Sequence, residues 1–172
     1  MGWLLNIFDR FMPLRSEPIV LGGDGAWRID GGVDEEKGRD LARLLTHTIN
    51  LFPTNSVLYL EGHSMSGAVK SILEQNHLHK SCRIARGTHW PRPEVFHVPM
   101  REEIVNELAK AAQDRSPSVV CSHLHVYRDR RLLLQGYDVG WEPLYVSVTM
   151  PESRVASFCE QIGCTHKRVH SI

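Results

Sequence analysis

Ser64 is the residue whose neighbours best equip it for chemistry. Val57-Leu58-Tyr59-Leu60-Glu61 reads as a buried strand, and Gly62-His63-Ser64-Met65-Ser66-Gly67 as a small-residue turn opening a helix. Such a corner exposes a serine hydroxyl at a sheet end. There the hydroxyl acts as a nucleophile if an imidazole takes its proton and a carboxylate orients that imidazole. Ser64, Asp138 and His166 occur in the chain order serine, acid, histidine, with His170 as a second choice of base. The same corner also suits a plainer role, in which the hydroxyl of Ser64 or Ser66 caps the helix that follows.

The stretch Val57 to Gly67 resembles the nucleophile elbow of the α/β-hydrolases, G-x-S-x-G, with Gly62 first, Ser64 central and Ser66 in place of the second glycine. The resemblance implies a serine hydrolase with Ser64 as nucleophile, Asp138 as orienting acid and His166 as base. That family also places several parallel strands before the elbow, whereas only about one strand-helix unit precedes residue 57.

A second chemistry is available at His123-Leu124-His125. On a strand both imidazoles leave the same face, about 7 Å apart along the chain. Such a pair binds zinc when a third ligand converges, and His97, His89 or Asp138 could be that ligand. The competing explanation is simple alternation: Cys121, His123, His125 and Tyr127 line a half-wet face, while Val120, Leu124 and Val126 fill the core. A third group, Trp90, Arg92, His97, Tyr137, Asp138 and Trp141, concentrates polar and aromatic side chains beside strand ends, where binding surfaces are built.

These residues need a scaffold, and the chain is long enough for one domain with its own core: 172 residues, 42% of them hydrophobic and 23% charged. Twenty basic residues balance twenty acidic ones, so no overall field favours nucleic acid. The four cysteines form no C-x-x-C pair, which argues against a zinc ribbon and for free thiols in a reducing, cytoplasmic setting. No apolar stretch approaches the length of a membrane span. No motif calls for a cofactor.

Apolar positions 3, 4, 7, 8 and 11 make residues 1–14 an amphipathic helix, whose aromatics offer a homo-oligomer interface over residues 3–12. Nothing there forms a continuous secretory core. Glycines around residues 22–25 and 31–32 read as hairpin turns rather than a phosphate loop. Helices are expected from Asp34 to Pro53, over Ala68 to Leu73, over Arg101 to Gln113, and from Pro151 to a stop at Gly163. Val119 to Tyr127, Arg131 to Tyr137 and Leu144 to Thr149 read as three consecutive strands joined by short turns. The expected architecture is a single α+β domain over residues 15–165, with a central mixed sheet ending in an antiparallel meander and helices packed mainly on one face. Residues 166–172 read as a polar tail. The leading functional expectation is a binding or protein-interaction module. The alternatives are a serine hydrolase on Ser64 and a metal-dependent enzyme on His123 and His125.

Overall fold

The computed structural model describes residues 19–31, 38–79, 84 and 90–170. The amphipathic segment 1–14, with its interface over 3–12, lies outside them, as do Cys82, His89 and the proposed cap at Asp34.

Among the described residues seven strands form one sheet: β1 (Ala26–Asp30), β2 (Val57–Gly62), β3 (Glu94–Pro99), β4 (His123–Arg128), β5 (Arg131–Gly136), β6 (Leu144–Ser147) and β7 (Thr165–Val169). Their order is β3-β2-β4-β5-β6-β1-β7. Four α-helices join them: α1 (Gly38–Leu51), α2 (Gly67–Asn76), α3 (Glu102–Ala112) and α4 (Glu152–Ile162). The chain is a single-domain α+β fold, and β4-β5-β6 is the expected meander.

Two expectations are corrected. Every pairing between the named strands is antiparallel, so the sheet is not mixed. The reason lies in the strand order: α1, α3 and α4 each link strands of the same direction that are not neighbours, with the oppositely directed β2 lying between β3 and β4 and β1 between β6 and β7. Between α2 and β3, Ile84 packs with Tyr59 and Tyr127 on the sheet face away from the helices. The expected polar tail is instead edge strand β7, fully paired with β1 from Asp30↔Thr165 to Ala26↔Val169. A strand exposed at an edge needs no apolar alternation, so its polar sequence concealed it.

The helices cover one sheet face. Leu41, Leu44, Leu45, Thr48 and Leu51 form the buried stripe of α1. They meet Leu58 and Leu60 of β2, Leu124 and Val126 of β4, and the buried stripes of α3 and α4 in one apolar core. Thr48 is tolerated there because its hydroxyl donates to Leu45 O at 2.6 Å.

Strand alternation sends the other residues to the opposite face, where the register aligns one row across all seven strands. His97 pairs with Tyr59, Tyr59 with His125, His125 with Gln135, Gln135 with Tyr145, Tyr145 with Arg28, and Arg28 with Lys167. A neighbouring row sets Val95, Glu61 and His123 side by side.

Candidate functional site

The antiparallel wiring gathers six segments at one end of the sheet: Asp30-Gly31, the turn from Gly62 to Ser66, Trp90 to Pro93, Pro117 to Ser122, Tyr137 to Pro143, and Gly163-Cys164. Backbone bonds tie several together, Ser66 N to Val119 O at 2.7 Å, Ser122 N to Glu61 O at 2.8 Å and Val139 N to Ser122 O at 2.8 Å. This loop end carries Ser64, Trp90, Arg92, Tyr137, Asp138 and Trp141, most of the residues whose types suggested function. His97 stands apart, buried on β3.

The serine corner resolves into a helix cap. Ser66 is the N-cap of α2 and its hydroxyl accepts from Val69 N at 3.4 Å, while Ser64 is exposed on the turn. The position where the elbow pattern has its second glycine is thus held by a capping serine. The triad is not assembled. His166 sits on β7 against Trp27, with ring centroids 5.8 Å apart, and its Nε2 is 3.9 Å from Glu152 Oε1. Five strand spacings, about 24 Å, separate β7 from β2. Asp138 does reach a histidine, but it is His123. Ser66→Ala should cost about 1 kcal/mol of stability through the lost cap, and Ser64→Ala less than about 0.5 kcal/mol; urea unfolding of the two variants checks the order.

His123 and His125 do share a face, but that face is buried: His123 is 1% exposed and His125 0%. Each ring is fixed by a backbone donor. Asp138 N donates to His123 Nδ1 at 2.9 Å and Gly136 N to His125 Nδ1 at 3.3 Å. Asp138 holds a left-handed φ of 42° in doing so, a conformation aspartate tolerates. With Nδ1 accepting, the His125 ring, held neutral by burial, carries its proton on Nε2. His123 Nε2 lies 3.9 Å from Glu61 Oε1, and His125 Nε2 is buried without a hydrogen-bond partner.

Aromatic rings separate the imidazoles. Tyr59 stands between His97 and His125, at centroid distances of 5.0 and 5.2 Å, and Tyr137 contacts both His123 and His125, at 5.4 and 4.8 Å. The hydroxyl of Tyr59 donates to Glu61 Oε2 at 2.5 Å, and Tyr127 shares a 3.0 Å hydrogen bond with His97 Nδ1. Among the described residues no three histidine, cysteine, aspartate or glutamate side chains are grouped as metal ligands. Tyr59 is the physical reason His97 does not join the other two. Burial lowers the pKa of His97 to about 4 and that of His125 to about 3, with smaller contributions from His77 and His123 respectively. What results is an interlocked aromatic and polar layer in which burial holds His97 and His125 neutral.

Glu61 and Tyr59 were missed as members of this layer. The available signal was parity: in Val57 to Glu61 the leucines occupy one face and Tyr59 and Glu61 the other.

The open part of the loop end is a pocket of about 240 Å³ lined by Arg28, Asp30, Gly31 and the segment from Val139 to Leu144. Its floor is an ion pair, Arg28 Nε to Asp30 Oδ1 at 2.8 Å. The hydrogen bond from Arg28 holds the Asp30 carboxyl below its ordinary range, with Lys167 adding to the effect from 3.6 Å. Trp141 stands at the rim, 75% exposed, and Trp90 at the same end is 86% exposed. Among the described residues no helix is long and apolar enough to cross a membrane. Comparison with protein-family models, curated proteins and solved structures finds nothing that matches the chain.

Proposed function

We propose that the chain is a binding module whose ligand or protein partner docks on the loop end of the sheet, at the pocket between Trp141 and the Arg28-Asp30 pair. The observation that carries this reading is the pair of exposed tryptophans on loops at one sheet end. A large indole left in water is costly surface, and aromatic anchors beside fixed polar groups supply much of the energy of recognition. The charged floor favours an occupant with hydrogen-bonding groups, and the indole favours one with a planar or apolar portion. The buried histidine layer supports the loops from beneath: Asp138 and Gly136 are pinned by His123 and His125.

A screen of small aromatic and peptide-like fragments against the full chain tests the reading. Trp141→Ala should keep stability within about 0.5 kcal/mol, because the indole is exposed, yet weaken the wild-type hits at least about tenfold. Hits that bind the variant as well as the wild type would contradict the assignment.

A further inference from the structure

We propose that Cys159 and Cys164 are a redox pair, able to exchange with a small-molecule disulfide and close into an intramolecular disulfide at the C-terminal end of α4. Both thiols are free in the structure. The helix ends on Gly163, whose left-handed backbone (φ 74°) turns the chain sharply enough for Cys164 N to donate to Cys159 O at 2.9 Å. That closure folds residue 164 back over residue 159. Cys164 packs against the core cluster that contains Cys159.

Two further features, exposure and a nearby cation, favour reaction at Cys164. Cys164 is partly exposed, whereas Cys159 is 2% exposed, so one sulfur can meet a reagent and the other waits behind it. The Arg43 guanidinium lies over the helix end, 3.7 Å from where a Cβ on Gly163 would sit, and its charge partly offsets the raising of the Cys164 thiol by Cys159 and by burial. Each thiol acts on the other's acidity, lowering Cys159 and raising Cys164, as expected of two neighbouring sulfurs that titrate as a pair. Cys121 is the contrast: fully buried, with its thiol pushed up to about 12 by desolvation.

The chemistry balances with glutathione disulfide as oxidant. The Cys164 thiolate attacks one sulfur of glutathione disulfide, forming a mixed disulfide and expelling one glutathione thiolate, which takes up the Cys164 proton. Cys159 then attacks the Cys164 sulfur and expels the second glutathione, which takes the Cys159 proton. Two protein thiols lose two electrons, and one glutathione disulfide becomes two glutathione molecules. The pair also adjoins the pocket: a Cβ on Gly31, a pocket residue, would lie 3.9 Å from Cys164 Cβ. The exchange itself does not depend on whether the pocket binds a ligand.

Both cysteines fall in the single tryptic peptide 155–167, which makes the test direct. The full chain is incubated with glutathione disulfide, alkylated, digested and weighed. The expected product is that peptide two hydrogens lighter and resistant to alkylation, with recovery of both alkylation sites after reduction. Cys159→Ser should trap glutathione on Cys164, Cys164→Ser should leave Cys159 unmodified, and Arg43→Gln should slow the first step severalfold. A wild-type peptide that stays fully alkylated, or that accumulates a stable glutathione adduct, would overturn the proposal. The wild-type result decides even if the Cys159 variant fails to fold.

Discussion

Lowering the pH from neutrality to 4.5 is expected to remove about 5 kcal/mol of folding free energy. His97 and His125 ordinarily titrate near 6.5, but burial lowers them to about 4 and about 3 in the folded chain. Above pH 6.5 both are neutral whether the chain is folded or not, and they contribute nothing to the pH dependence. Below 6.5 the unfolded chain binds protons that the folded chain refuses, so stability falls as pH falls and levels off only below the folded values. Two pH units below 6.5, each histidine contributes about 2.7 kcal/mol. Together they remove a large share of a typical domain's 5–15 kcal/mol.

The groups facing these rings are Tyr59 and Tyr137 for His125, and Tyr59, Tyr127 and His77 for His97, with Glu61 beside His123. Urea unfolding across a pH series should show uptake of about two protons on unfolding between pH 6 and 4.5. His125→Gln, which removes one titrating ring, should reduce that to about one. A folding free energy that stays flat down to pH 4.5 would mean that the layer is open to water.

Tyr59→Phe is the second substitution with a large expected effect, about 2–3 kcal/mol of lost stability. The change preserves the ring that separates His97 from His125 and removes only one oxygen. Its cost therefore comes from Glu61, whose carboxyl is 0% exposed and loses the donor on Oε2. Water has no route to replace it. A double-mutant cycle isolates this cause: in a Glu61→Leu background, Tyr59→Phe should cost less than about 1 kcal/mol, because the carboxyl that Tyr59 donates to is gone. Equal costs in the two backgrounds would show that the hydroxyl acts elsewhere.

How much of this was legible follows from where the information sits. The helices and their stops were readable because local rules decide them: the leucine stripe of α1, the cap before Gly67, and Gly163 as a left-handed stop. The alternation Leu58, Leu60 against Tyr59, Glu61 was equally local, but its meaning was not. Whether the second face is wet or buried depends on residues distant in the chain that pack on it, Ile19 and Ile84 among them. His123 and His125 consequently read as a half-wet pair, although both are enclosed. Strand β7 was hidden because an edge strand with exposed side chains has a polar sequence, and its pairing is set by β1 rather than by its own pattern. The hydrolase triad failed for a related reason. Chain order says nothing about strand order, and the sheet places His166 on the opposite edge region from Ser64.

The loop-end surface of Trp90, Arg92, Tyr137 and Trp141 was legible as a set because sequence marks loops well. That these loops share one end of the sheet is a property of the antiparallel wiring.

The most direct measurement of the central claim is a backbone amide shift map of the full chain under a small aromatic and peptide-like fragment library. The account predicts that shifts from the binding fragments cluster at Asp30-Gly31, Trp90 to Pro93 and Tyr137 to Pro143, leaving the exposed faces of α2 and α3 unchanged. Fragments that bind and shift the helical face while the loop end stays still would contradict it.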